Sequence, residues 1–141
     1  MSAETTKPTL YDRLGGVYSI AAVVDDFIDR VMHNPVLNAN PAVDEAHHRV
    51  SAAGFKYYVT EMVCWATGGP QKYIGRAMGE SHKHLITEGE WAAFCKDFDD
   101  TIAKFNVPEA ESVCHRGKHE GRYRVRMTPW LSGIMSTWRF I

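Results

Sequence analysis

Apolar residues in this chain recur at steps of three and four, which is the period of an amphipathic α-helix. The pattern is clear over residues 17–33, from residue 44 or 51 to residue 67, and over residues 87–105. The alternation typical of a half-buried β-strand is nearly absent. The sequence therefore predicts one all-α domain of five or six helices.

Turn-forming residues set the limits of the first helices. A glycine pair, Gly15-Gly16, ends a short helix predicted over residues 8–14. Asn34-Pro35 ends the helix over residues 17–33, because proline disfavours helical backbone at the residue before it. The stretch that follows, NPVLNANPAV, is rich in Asn and Pro, so it is predicted to be a turn-rich connection.

Comparable signals mark the helices of the second half. Gly68-Gly69-Pro70 ends the helix before it, and a short helix is predicted over about residues 71–84. Thr87 and Glu90 form a capping box, in which each side chain satisfies a free backbone donor at the start of a helix. A last helix is predicted near residues 129–139.

Charge is distributed unevenly along the chain. Its 141 residues hold 16 Lys+Arg and 17 Asp+Glu, a net charge of −1, so no global field attracts nucleic acid or an anionic membrane. Residues 112–141 alone hold six Lys+Arg and one Glu. Because residues 112–126 also lack a helical stripe, we expect a mobile, irregular segment there. The sequence thus divides into a domain over residues 1–111 and an atypical basic tail over residues 112–141.

The sequence carries no sign of a membrane or secreted protein. No apolar run approaches the roughly 20 residues that a membrane span needs, and the opening MSAETTKPTL lacks the shape of a secretory signal. Three cysteines, at positions 64, 95 and 114, form neither a disulfide framework nor a zinc pattern. We therefore expect a cytoplasmic protein.

The candidate metal ligands in this sequence are histidines. His115 and His119 are four residues apart and could share a metal ion only if their segment is helical. His82 lies between Met78 and Leu85, and the predicted helices around it are rich in aromatic residues. A neutral imidazole in such a setting suits a flat apolar cofactor whose metal takes a nitrogen ligand. From the spacing alone, a histidine packed in the core is the more common explanation of His82.

Five motifs that occur in order resemble a bacterial group I truncated haemoglobin. They are LYDRLGG at 10–16, VVDDFIDRV at 23–31, GGPQKYIGRAM at 68–78, SHKHL at 81–85 and KFNVPEAE at 104–111. The 14 residues from Gly68 to His82 equal the usual separation between the family's glycine motif and its iron-binding histidine. The resemblance covers about residues 8–111 and implies an all-α truncated globin, a two-over-two helical sandwich around haem b.

The resemblance also implies the residues of a haem pocket. His82 would bind the iron through an imidazole nitrogen, and Phe27 would pack on the distal side. The glycine pairs at 15–16 and 68–69 would let this short fold turn sharply. The other residues expected to contact haem are Phe55, Tyr58, Val59, Met62, Val63, Tyr73, Met78, Leu85, Trp91 and Phe94.

The chain departs from the family at the positions that usually hydrogen-bond the gas. Many relatives follow the phenylalanine at 27 with a tyrosine, which is Ile28 here, and supply glutamines where this chain has Phe55 and Val59. Tyr58 stands where some relatives place a histidine that can bind the iron. The nearest replacement donors are Tyr57, Tyr58, His47 and His48.

The function implied by the resemblance is reversible binding of a diatomic gas at the haem iron, opposite His82. Oxygen, nitric oxide and carbon monoxide are the expected ligands, and oxygen storage, transport or sensing is the expected role. The alternative is a haem enzyme, a nitric oxide dioxygenase or a peroxidase-like protein, served by a reductase. A haem-free helical domain is the third interpretation. We expect a monomer or weak dimer with no nucleic-acid partner.

Overall fold

The computed structural model describes residues 6–75 and 87–108, together with the backbone of two strands further on. Met78, His82, Leu85 and the last predicted helix lie outside the described residues. In chain order the elements are α1 (Leu10–Arg13), α2 (Gly16–His33), α3 (Pro35–Asn38), α4 (Pro41–Arg49), α5 (Ala52–Ala66), α6 (Glu88–Lys104), β1 (His115–His119) and β2 (Arg122–Arg126).

The three long predicted helices are present as α2, α5 and α6. Of the two possible starts for α5, the later one is correct, since Ser51 caps the helix and its Oγ accepts a hydrogen bond from the Gly54 amide at 3.0 Å. The predicted capping box opens α6. There the Thr87 amide donates to Glu90 Oε2 at 2.6 Å, and the Glu90 amide donates to Thr87 Oγ1 at 3.5 Å.

The first short helix is shorter than the sequence predicts. It begins at Leu10, because Thr9 acts as its N-cap and forms a capping box with Asp12. Gly15 follows with a φ of 91°, a left-handed conformation that glycine adopts without strain. The chain turns there and α2 begins at the next residue, so the predicted break at the glycine pair is confirmed.

The prediction of a turn-rich connection after α2 is wrong. The segment forms two short helices, α3 and α4, each of which starts with proline at its first position. Asn34 and Asn40 precede these prolines, and their side chains accept hydrogen bonds from the Val36 and Ala42 amides at 3.0 Å. Asn-Pro therefore combines an N-cap with a residue suited to the first helical turn.

The expectation of an irregular basic segment over residues 112–126 is also wrong where the structure describes it. β1 and β2 pair as an antiparallel ribbon in which His115 lies opposite Arg126 and His119 lies opposite Arg122. In the sequence RYRVR, tyrosine and valine alternate with arginine. This short alternation is a weak strand signal, because only two apolar residues stand among three arginines.

Helix α2 supplies the central layer of the core. Ile20, Val24 and Ile28 form a buried cluster with Cys64 of α5. One turn further along, Val31 forms a second buried cluster with α3 and α4, against which Phe94 of α6 packs. α2 therefore contacts both α5 and α6. The apolar residues that recur on α2 at steps of three and four lie at the centre of the described core.

Asp26 lies between α2 and α6, although its charge predicts a place on the solvent face of α2. Its carboxylate accepts hydrogen bonds from Arg30 Nε at 2.7 Å, from the buried Thr101 hydroxyl at 3.0 Å, and from Lys104 Nζ. The Lys104 and Arg30 hydrogen bonds hold the pKa of Asp26 at about 2, below its ordinary value of 3.8. An ionised carboxylate thus ties the two helices together.

Replacing Asp26 tests this tie through the pH dependence of stability. Since the folded pKa is below the ordinary one, the stabilisation is complete above pH 3.8 and is lost as pH falls towards 2. We expect Asp26→Asn to lower the free energy of unfolding at pH 7 by about 1 kcal/mol. The loss relative to wild type should shrink in acid. Urea unfolding across pH 2–7 measures this, and Glu45→Gln, which removes an exposed carboxylate, should leave the wild-type pH profile unchanged.

The end of α5 is a close-packed turn. Gly68 has a φ of 90°, and its amide donates to the Trp65 carbonyl at 3.2 Å, while the Gly69 amide donates to the Cys64 carbonyl at 2.8 Å. These two bonds form a Schellman motif, which satisfies the last carbonyls of the helix. A Cβ at Gly69 would lie 2.6 Å from Tyr11 Cδ2 and 2.8 Å from the Cys64 carbonyl oxygen.

Alanine at Gly69 should therefore destabilise the fold. The Cys64 carbonyl belongs to the helix backbone and cannot move without distorting the helix. We therefore expect Gly69→Ala to lower the free energy of unfolding, measured by chemical denaturation, by about 1–3 kcal/mol. Gly89→Ala is the matched control, because a Cβ there meets nothing within 4 Å and alanine favours the first turn of α6. Equal stability of the two variants would contradict the described turn.

Candidate haem pocket

The distal positions inferred from the sequence lie along one face of α5. Phe55, Val59 and Val63 are spaced four residues apart, so they share that face, and all three pack against the buried α2 cluster. Ile28, at the position where many relatives carry tyrosine, is 2% exposed within this cluster. The structure thus brings together the side chains that lack hydrogen-bond donors.

A second face of α5 carries partly exposed aromatic and sulfur-containing side chains. Tyr58 is 44% exposed, Met62 is half-buried and Trp65 is 51% exposed. The Trp65 ring stacks on the Tyr73 ring, with centroids 6.4 Å apart and planes 28° apart. This stack was not foreseen, since nothing in the sequence connects residue 65 with residue 73.

Phe27 connects α2 to the aromatic residues of α6. Its ring meets Phe94 edge-on at 5.2 Å and Phe98 edge-on at 5.5 Å, both favourable geometries for aromatic pairs. Phe94 in turn stacks on the buried Trp91 ring at 5.2 Å. The predicted pocket residues of α2 and α6 therefore form one aromatic cluster, which also includes Phe98.

Glu61 attaches the segment after the glycine motif to α5. Its carboxylate accepts a hydrogen bond from the Ile74 amide at 3.4 Å and from the Tyr57 hydroxyl at 3.2 Å. Burial, with a smaller effect from Glu61, raises the pKa of Tyr73, so its phenol stays neutral. No pattern in the sequence indicates this structural role of Glu61.

The four candidate replacement donors are not equivalent in the structure. Tyr57 is exposed and bonded to Glu61, and His48 is exposed with its Nδ1 atom 2.7 Å from the Asp44 carbonyl oxygen. Tyr58 and His47 remain, and His47 lies beside Phe55 with ring centroids 6.4 Å apart. Of the four, Tyr58 and His47 therefore remain the candidate donors near the distal positions of α5.

A metal ion shared by His115 and His119 is excluded by the backbone. The two residues are the first and last of β1, not neighbours on a helix. A strand rises about 3.3 Å per residue, so their backbones are about 13 Å apart. Both cannot ligate one ion.

The described residues fit a haem group. Haem is flat and largely apolar, and α5 offers an apolar face next to exposed aromatic rings, with Phe27 and the aromatic residues of α6 on the adjoining helices. The expected iron ligand, His82, lies outside the described residues, as do Met78 and Leu85. Within the described part of the chain, no helix is both long and apolar enough to cross a bilayer.

Comparison with known proteins agrees with this arrangement. The profile of the bacterial-like globin family matches residues 9–117. The group 1 truncated hemoglobin GlbN of Synechocystis sp. (strain ATCC 27184 / PCC 6803 / Kazusa) is 36% identical over 107 residues, which cover 72% of this chain and 81% of that protein.

A solved structure shows the same fold. A mutant of the truncated hemoglobin from Tetrahymena pyriformis, crystallised in its Fe(III) form, aligns with a TM-score of 0.57. The alignment covers 73% of this chain and 84% of that chain, at 24% identity. The described helices thus belong to the all-α, two-over-two globin sandwich. The chain is a member of the bacterial-like globin family, a group I truncated globin that binds haem and a diatomic gas.

Proposed function

We propose that this chain holds haem b through His82 and binds oxygen reversibly, as an oxygen store or carrier. The observation that carries the proposal is the character of Ile28, Phe55 and Val59. All three are apolar, and all three pack in the interface between α2 and α5. Haem supplies the iron at which the gas binds, and the protein sets the surroundings of that iron.

The apolar distal face determines how strongly the gas is held. A hydrogen bond to a charged or strongly polar partner contributes roughly 1.5–3 kcal/mol, and none of these three side chains can donate one. The same side chains exclude water. A small uncharged gas is therefore admitted and released readily, which suits reversible exchange.

The aromatic cluster of Phe27, Trp91 and Phe94 adjoins this face, because Phe27 also packs against the buried α2 cluster. Edge-on contacts hold Phe27 against Phe94 of α6, and Phe94 in turn stacks on Trp91. The remaining proposed haem contacts are Tyr58, Met62, Val63, Tyr73, Met78 and Leu85.

Among enzymes, a nitric oxide dioxygenase is the second candidate. Nitric oxide is as small and uncharged as oxygen, so the same apolar face admits both. Peroxidase chemistry is less well supported, because cleavage of the oxygen–oxygen bond relies on a positioned acid or base. Ile28, Phe55 and Val59 offer neither.

The setting proposed for the protein is a reducing cytoplasm. Cys64 and Cys95 are buried cysteines of the kind that have a structural role in such a compartment. We further propose a monomer or weak dimer, a globin domain over residues 1–111 with a separate tail over 112–141, and a reductase that keeps the iron ferrous.

Removal of the proposed iron ligand is the first test. His82→Gly should lose haem, or retain it only with added imidazole, because the imidazole nitrogen proposed to hold the iron is removed. His84→Ala, two residues away, should keep the wild-type absorption spectrum. Equal haem retention by the two variants would contradict the assignment of His82.

A tyrosine at position 28 tests the apolar pocket. Wild-type protein should release oxygen fast, and Ile28→Tyr should slow dissociation about tenfold or more, as one good hydrogen bond contributes about 1.4 kcal/mol or above. Since Ile28 is fully buried, the larger ring should also cost about 1–3 kcal/mol of stability. Stopped-flow dissociation and urea unfolding measure the two effects.

The matched control is Ile28→Phe, which adds the ring without the hydroxyl. It should cost the same stability and leave oxygen dissociation fast. If both variants slow dissociation equally, the effect is steric and not a hydrogen bond. Slow release by wild-type protein would mean that another donor reaches the gas.

A further inference from the structure

Tyr57 places a phenol at the surface of α5, next to a carboxylate. Its side chain is exposed, and its hydroxyl donates to Glu61 Oε1 at 3.2 Å. Glu61 is held in position, because its other oxygen accepts a hydrogen bond from the Ile74 amide at 3.4 Å. An oxidisable ring that solvent can reach thus has a base within hydrogen-bond reach of its proton. Neither residue is among the proposed haem contacts.

The carboxylate matters because a phenol becomes a much stronger acid when it loses an electron. The hydrogen bond to Glu61 raises the pKa of Tyr57, so the resting phenol keeps its proton at pH 7. Removal of one electron from the ring forces that proton to leave. Glu61 Oε1 already accepts the hydrogen bond from this hydroxyl and can take the proton as the electron departs.

Tyr58 connects Tyr57 with the proposed pocket. The two rings meet edge-on, with centroids 5.6 Å apart and planes 70° apart. Tyr58 lies four residues before Met62 on α5, so these two side chains share a face of the helix, and both are proposed haem contacts. An electron can therefore pass from Tyr57 to the haem group through one intervening ring.

We propose that Tyr57 is the site at which the protein oxidises small phenols from solution, after hydrogen peroxide has oxidised the haem group. This inference rests on the proposed function, since it needs haem in the pocket. The apolar distal face has no acid or base for peroxide cleavage, so this first reaction is slow. Each event nevertheless removes two electrons from the haem group, and the tyrosines of α5 give a route by which they are replaced.

Electrons and protons balance over the cycle. Hydrogen peroxide takes two electrons from the haem group and, with two protons, leaves as two waters. Tyr57 returns one electron through Tyr58 and gives its proton to Glu61, which later releases it to solvent. A phenol from solution then transfers a hydrogen atom to the Tyr57 oxygen and becomes a phenoxyl radical. Two such rounds restore both electrons.

The test uses the full chain loaded with haem, with hydrogen peroxide as the oxidant and guaiacol as the phenol. Without guaiacol, Tyr57 radicals of two molecules should join through a carbon–carbon bond between their rings. Dityrosine fluorescence and mass spectrometry of the linked peptides detect this bond independently of turnover. Tyr57→Phe should lose the link and most of the guaiacol oxidation. Glu61→Gln should lower both about tenfold or more, since the proton acceptor is removed.

Tyr18→Phe is the matched control. Tyr18 is 90% exposed, against 59% for Tyr57, and within the described part of the chain its hydroxyl has no carboxylate partner. This variant should keep the wild-type link and guaiacol oxidation, whereas Tyr58→Phe should lower both because the intervening phenol is missing.

Three results overturn the proposal while leaving haem binding intact. They are a link formed at Tyr18 and not at Tyr57, guaiacol oxidation at the wild-type rate in Tyr57→Phe, and a loss of oxidation that occurs in Trp65→Phe alone, which would assign the exit to the Trp65 ring. A haem-loaded chain that forms no link and oxidises no guaiacol overturns it as well. A chain that binds no haem overturns the proposed function too.

Discussion

The contact between α2 and α5 is the interaction on which the rest of this structure depends. Ile20, Val24 and Ile28 close on Cys64, which is fully buried, and the neighbouring side chains of α5 pack around that centre. The contact holds α5, which carries the distal positions Phe55 and Val59, against α2. It also leaves the opposite side of α2 free to receive α6, so the sandwich and the pocket share one origin.

Much of this arrangement is readable from the sequence because local signals agree with the tertiary fold. The stripes of α2 and α6, the capping box at Thr87 and the glycine turn after α5 all appear where pattern and capping rules place them. The family resemblance added the order of the helices. Asn34-Pro35 marks the end of α2 as predicted, but the Asn-Pro pairs also start α3 and α4, because the same dipeptide can stop one helix and start another.

The candidate site is less predictable for a physical reason. Contacts such as Trp65 on Tyr73, Glu61 to the Ile74 amide and Asn38 to His47 depend on chain geometry after a turn, which residue spacing does not encode. Asp26 is the clearest case. A helical wheel places its carboxylate towards solvent, yet the partners that retain it between helices lie 75 and 78 residues away.

These long separations have a consequence for the order of folding. α2 and α5 are joined by residues 34–51, which include α3 and α4, whereas α6 is held by contacts that close loops of 50 to 78 residues, among them Asn40 to Glu90 and Asn34 to Asp97. The entropy of closing a loop grows with its length, and such contacts form late. The first half of the chain can therefore form the contact between α2 and α5 before α6 docks. Contacts of α6 should therefore affect the rate of unfolding more than the rate of folding.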